Sequence, residues 1–215
     1  QFGIERKKVT FPEGFTAKQM ADRLAATFPG FDTTLFMTLA KGSEGYLFPD
    51  TYTFFPSVTP DVVVAILKRN FAEQLVPLEQ RILTSGRKRA DIITMASIIE
   101  KEADSADEMP IIAGILWKRF DKGMPLQVDA PFLYTLGKSS SELTRKDLTS
   151  NSPYNTYRNK GLPPTPISNP GIDAITAAIS PTDSPYWYYL HDSDGVIHYA
   201  STYTEHKKNI ARYLR

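Results

Sequence analysis

Two acids separated by a single residue close one of the most apolar stretches of the chain, Asp91-Ile-Ile-Thr-Met-Ala-Ser-Ile-Ile-Glu-Lys-Glu-Ala103. On a helix turning about 100° per residue, Ile92, Ile93, Met95, Ala96, Ile98, Ile99 and Ala103 centre on one face. Glu100 and Glu102 then fall on opposite flanks of that face, and Lys101 points away from it. A carboxyl group at such a border is partly desolvated. Desolvation favours its neutral form, which is what a general acid needs near neutral pH. The same pattern also describes the solvated end of an ordinary helix, and periodicity does not choose between the two glutamates.

Other chemistries find less support. The three histidines, His191, His198 and His206, show no His-x-x-x-His or His-Glu-x-x-His spacing. The chain has no cysteine, which removes thiol nucleophiles, disulfides and thiolate metal sites together. Neither a Gly-x-Ser-x-Gly elbow nor a glycine-rich phosphate loop occurs. No metal or cofactor is therefore expected. With 25 Lys+Arg against 24 Asp+Glu the net charge is +1, and no nucleic-acid partner is expected from so balanced a chain. The tyrosines of residues 186–189 suit sugar stacking as well as core packing.

The elements that must position these groups read as follows. Residues 7–11 form a strand. Thr16 caps a helix over 17–27, and a second helix covers 31–40 with Asp32 at its start. A loop rich in Gly, Pro and aromatics then leads into a short strand before residue 55. Thr59-Pro60-Asp61 starts a helix that runs to about residue 85, divided or kinked at Pro77. Asp91 caps the helix of the acid pair, and another helix covers 109–122. Residues 123–171 are mostly irregular, with a short helix near 130–136, and ordered loops of that length are usually functional. A helix at 171–179, a hairpin of strands 187–190 and 196–200, and a closing helix at 202–214 complete the chain. The fold class is α+β with helices dominant.

With 41% hydrophobic and 23% charged residues, a chain of 215 residues can bury a core and is not disordered. No run of 18 apolar residues occurs, so no membrane span is expected within it. The chain opens at Gln1 without a methionine, on a polar stretch that reads as a trimmed or processed start.

Several short motifs occur in order: Gly45-Tyr-Leu-Phe-Pro-Asp-Thr-Tyr52, Ala96-Ser-Ile-Ile-Glu-Lys-Glu102, Leu126-Gln-Val-Asp129, Tyr154-Asn-Thr-Tyr157, Gly161-Leu-Pro-Pro164 and Asn169-Pro-Gly171. With the closing His198, Thr202 and His206 segment, they closely resemble the endolytic murein transglycosylases of the MltG/YceG-like family. Residues 1–44, through their strand, Pro-Glu-Gly turn and Thr-Ala-Lys-Gln-Met-Ala helix start, resemble a LysM-like subdomain. Residues 45–215 resemble the catalytic domain.

The resemblance implies a bacterial enzyme that cuts nascent peptidoglycan strands internally. It would be held on the extracytoplasmic side of the membrane by an N-terminal anchor absent from this chain, with peptidoglycan synthases as candidate partners. It also implies cleavage between N-acetylmuramic acid and N-acetylglucosamine without water, leaving a 1,6-anhydro end. One carboxyl group serves as acid and then as base, unlike the usual pair in glycosidases. Aligned with the family, that group is the first acid, Glu100, and Glu102 supports it. Gln127, Asp129, Tyr154, Asn155, Thr156 and Tyr157 are expected either to line the glycan cleft or to stabilise the loops by hydrogen bonds. Two alternatives stay open: a hydrolase of the same glycan using Glu100 and Asp129, and a binding or scaffold module without turnover. A pyridoxal-dependent lyase, a label sometimes attached to the family, lacks any local motif for a phosphate cup.

Overall fold

A computed structural model describes residues 5–214; the first four residues of the expected N-terminal unit lie outside them. Strand β1 (Lys7–Thr10) leads to helices α1 (Ala17–Thr27) and α2 (Thr33–Leu39), and strand β2 (Thr51–Phe54) returns antiparallel to β1 with Val9 opposite Tyr52. Local chemistry sets the helix starts. The Thr16 hydroxyl accepts from the Gln19 N–H while the Gln19 side chain accepts from the Thr16 N–H, and Asp32 accepts from the Leu35 N–H. Val9, Met20, Leu24, Phe36, Leu47 and Phe54 fill a small core that also draws Val63, Val64 and Leu67 from α3 (Pro60–Leu75). That core extends past residue 44, the boundary expected from sequence, because β1 finds its partner only in β2.

The larger core begins at the other end of α3. Pro77 cannot donate an N–H, and the helix gives way to a 3-10 turn (Val76–Leu78) before α4 (Glu79–Thr84). Next come α5 (Arg89–Glu102), α6 (Met109–Asp121), α7 (Ala130–Leu136), α8 (Arg145–Leu148) and α9 (Ile172–Ile179). The antiparallel hairpin β3 (Tyr188–His191) and β4 (Ile197–Ala200) and the closing helix α10 (Tyr203–Tyr213) follow. Most element ends fall within one or two residues of expectation, and two readings change. Asp91 lies in the first turn of α5, whose N-cap is Lys88. The 123–171 segment also contains α8, which Thr144 and Asp147 cap reciprocally.

Helix α5 is the centre of this core. Every residue from Ile92 to Ile99 is buried, so the helix is encased and not merely one-sided, with α6 and α9 packed on it. Ser97 fits because its polar groups are matched. The Ser97 hydroxyl donates to Thr94 O at 2.7 Å and accepts from Ile167 N at 3.0 Å, and Ser97 O accepts from the Ser168 hydroxyl at 3.1 Å. The Pro-rich loop is thereby laid across α5. Helix α6 approaches the 181–183 backbone so closely that a Cβ at Gly114 would lie 2.0 Å from Thr182 O.

Asn169, fully buried, joins the two cores. Its amide oxygen accepts from Gly45 N at 2.8 Å and Leu47 N at 2.9 Å. Its amide nitrogen donates to Phe15 O at 3.0 Å and to Glu44 Oε1 at 2.7 Å. Its own backbone exchanges bonds with Gly14 N and Phe15 O. Gly45 turns beneath it at φ 87°, where an added Cβ would meet Pro166 at 2.6 Å. Replacing Asn169 by Ala strands two buried N–H donors, those of Gly45 and Leu47, each worth about 1–3 kcal/mol when unpaired, and takes one of two donors from Phe15 O. We predict a loss of about 3–5 kcal/mol in urea unfolding, measured as a fall in midpoint at unchanged slope. A loss below about 1 kcal/mol contradicts the central role of this side chain.

Candidate active site

An open cleft of about 660 Å³ runs between the C-terminal end of α5, the 127–130 segment, β3 and α10. Glu102, Gln127, Asp129 and Tyr157, all singled out from sequence, line it. So do Tyr188 and Tyr189, from the tyrosine run noted as suited to sugar stacking, His206 of the closing motif, and Arg119, which sequence reasoning passed over. Arg119 did leave a signal. It continues the apolar stripe of Ile112, Ile115 and Leu116 on α6, where a charge is out of place.

Glu102 is partly buried in the cleft wall. Its Oε2 accepts from the Tyr189 hydroxyl at 2.9 Å. Burial pushes its carboxyl up from the ordinary 4.5 to about 7; the Tyr189 hydrogen bond opposes the rise, and the nearby Asp129 charge adds to it. Asp129 Oδ1 accepts from the Tyr157 hydroxyl at 2.6 Å. A carboxyl group near half-protonation therefore stands beside a second acid whose charge is held by a phenol.

Glu100 stands elsewhere. It leaves α5 on the opposite flank, and its Oε2 accepts from the Gly171 N–H at 2.9 Å, at the N-cap of α9. Burial raises it too, to about 7, against the pull of that N–H and with the Glu13 charge adding. Glu13 sits over Gly171 so closely that a Cβ there would lie 1.9 Å from Glu13 Oε1. Glu102, not Glu100, is among the residues that line the cleft.

The remaining candidates divide by burial. Asn155 and Thr156 are buried. The Asn155 amide donates to Leu148 O and Ser150 O, each at 3.0 Å, and closes its own loop. Thr156 donates to Val128 O at 2.7 Å and accepts from Val128 N at 3.1 Å, while Thr156 O takes Gln127 N at 3.0 Å. That clamp holds Gln127 at φ 57°, a left-handed conformation costly for a residue with a Cβ. Arg119 Nη2 donates to the Gln127 side-chain oxygen. Tyr154 packs against Tyr134 and meets the Thr165 hydroxyl at 2.8 Å. Tyr154, Asn155 and Thr156 thus shape the loop behind the cleft wall.

Glu44 is a third raised carboxyl, half-buried between the cores and accepting from Ala17 N at 3.0 Å; desolvation brings it to about 7. A carboxyl whose pKa is higher folded than unfolded holds a proton that the unfolded chain has released. Its contribution is complete below 4.5 and is lost as pH rises through about 7. Glu44, Glu100 and Glu102 all act in that direction. The urea midpoint is predicted to fall between pH 5 and pH 8, and Glu44→Gln to flatten part of that slope; a midpoint rising over this range contradicts it. Tyr189→Phe removes a donor to the Glu102 carboxylate and should raise that group's pKa further, readable by carbon NMR of labelled glutamate.

Residues 2–212 match the YceG-like family. An endolytic murein transglycosylase of Bacillus subtilis (strain 168) is 38% identical over 175 residues, covering 80% of this chain and 48% of that protein. One from Streptococcus pneumoniae serotype 2 (strain D39 / NCTC 7466) is 33% identical over 177 residues, covering 80% and 32%. The crystal structure of a yceG-like protein from Listeria monocytogenes superposes with a TM-score of 0.86 at 33% identity, over 94% of this chain and 75% of that one. The chain spans about half the length of the Bacillus relative and about a third of the Streptococcus one. Among the described residues, no helix is long and apolar enough to cross a membrane.

Proposed function

The chain belongs to the YceG-like family, and from that membership we propose that it cuts the glycan strands of peptidoglycan internally as a lytic transglycosylase, with Glu102 as its acid and base. One observation carries the assignment: the Glu102 carboxyl, raised to about 7, stands in the wall of the open cleft. Near neutral pH a large fraction is protonated and can give its proton to the glycosidic oxygen between muramic acid and glucosamine. The carboxylate so formed then takes the proton of the C6 hydroxyl. That oxygen attacks the anomeric carbon and closes a 1,6-anhydro ring, so the group returns to its starting state without water. The Tyr189 hydroxyl, together with the Ala130 N–H, steadies the carboxylate form. Gln127 and Asp129 offer amide and carboxylate groups to the sugars.

This reading moves the chemistry from Glu100, expected from the resemblance, to its neighbour two residues on. The carboxyl of Glu100 is also raised to about 7 and is fixed by an N–H. That supports a second reading in which Glu100 is the acid and Glu102 assists. The murein-acting relatives support peptidoglycan as substrate and an extracytoplasmic site of action. Synthases remain candidate partners. For the first unit we retain the LysM-like reading, supported by two helices between strands that pair antiparallel, with the unit extended at least through β2.

Un-crosslinked glycan strands digested with wild type, Glu102→Gln and Glu100→Gln decide among these. Glu102→Gln should lower the rate by about 10²–10⁴-fold, with a much smaller loss for Glu100→Gln. Mass analysis should find ends lighter by one water than a reducing sugar. The opposite ranking of the two variants transfers the role to Glu100. Heavier, reducing ends mark a hydrolase, with Asp129 the candidate base, and binding without turnover by wild type marks a scaffold module.

A further inference from the structure

Arg119 is a buried cation without an anion. It comes from α6, is 5% exposed, and lines the cleft. Nη2 donates to the Gln127 side chain, and Nε, also buried, has no hydrogen-bond partner. Among the described residues no carboxylate oxygen lies within 4.0 Å of it. The acids lining the cleft are engaged elsewhere: Glu102 by the Tyr189 hydroxyl, Asp129 by the Tyr157 hydroxyl, and Asp104 near His191 at 3.9 Å. Its guanidinium lies 5.3 Å from the centre of the Tyr188 ring, on which His206 stacks at 5.1 Å. His206 Nδ1 is likewise buried without a partner. Of the other cations lining the cleft, Lys138 is neutralised by Asp147 at 2.7 Å, and Lys101 is exposed.

An arginine cannot shed its charge on burial as a lysine can. Removing such a charge from water without a counter-ion is costly, and an aromatic ring offsets only part of that cost. Its planar fork matches a carboxylate in two parallel hydrogen bonds. We propose that Arg119 binds a carboxylate of the muramoyl unit in this cleft, with Gln127 setting the plane of the guanidinium. The muramoyl sugar bears a lactyl ether that is a free acid on peptide-free strands and otherwise carries a peptide stem with its own carboxylates; its glucosamine neighbour is neutral. Such a contact would fix which of the two alternating sugars faces Glu102, and hence which of the two glycosidic bonds is cut. The inference rests on the glycan reading of the cleft.

Calorimetric titration of the Glu100→Gln/Glu102→Gln protein, inactive under either assignment of the acid, tests it. The ligands are a neutral N-acetylglucosamine oligosaccharide, a peptide-free murein oligomer, a stem-bearing oligomer, and the methyl esters of the last two. One or both acids should bind at least about tenfold tighter than the matching ester, and the arm that does so identifies the lactyl or the stem carboxylate. Adding Arg119→Gln should abolish the preference and Arg119→Lys should retain part of it, with circular dichroism checking the fold. Equal affinity of acid and ester in both arms overturns the proposal, and retained binding of the neutral oligosaccharide would leave the glycan reading standing. A preference that survives in folded Arg119→Gln also overturns it. No binding of any glycan overturns both. The acid-against-ester comparison does not depend on the Arg119 variants folding.

Discussion

One side-chain amide holds the two halves of this molecule in register. Asn169 offers a single acceptor and a single donor group, and uses them on backbone from the 14–17 turn, on the 45–47 loop and on Glu44. A buried amide that satisfies four partners has little freedom to shift, since any movement leaves one of them unpaired. Because Asn169 lies two residues before Gly171, the same anchor delivers the start of α9 to Glu100. The Pro-rich loop that carries it is pinned from the other side by Ser97 of α5. The small core, the loop and the central helix are thus parts of one connected polar and steric network.

Helix α5 turns that rigidity into chemistry. Eight successive buried residues leave its body no contact with water, so its C-terminal turn is the place where polar groups emerge. Two residues apart on a helix are about 200° apart around its axis. Glu100 and Glu102 therefore meet different neighbours although they share a helix end. One faces a helix N-cap and a second glutamate. The other faces an open cleft with a tyrosine hydroxyl and an aspartate. Both are pushed up mainly by desolvation, and Glu102 is the one of the two that lines the open cleft.

The cleft wall opposite α5 shows a division of labour within one short motif. In Tyr154-Asn-Thr-Tyr157, Asn155 closes its loop, Thr156 clamps the 127–128 backbone, and Tyr157 alone reaches into the cleft to hold Asp129. The strained Gln127 persists because Thr156 fixes its backbone while Arg119 engages its side chain. Arg119 thus links the scaffold of α6 to the surface that would meet the substrate.

Much of this was legible in the chain itself. Thr16, Asp32 and Thr202 announce their helices because capping is local chemistry between residues three apart. Pro77 divides α3 from α4 for a reason carried by its own ring. Periodicity placed both glutamates at a core border, and they do lie there. What the sequence could not decide is which border faces a cavity. That depends on α10, β3 and the 127–130 segment converging on one flank of α5, and such contacts between distant residues leave no local trace. The reach of the small core past residue 44 was hidden for the same reason, since strand pairing joins residues 7–10 to 51–54. Residue types and spacings determined the elements and the kind of chemistry available. Tertiary packing alone decided that Glu102 lines the open cleft, which polar side chains became scaffold, and that Arg119 was buried without a counter-ion among the described residues.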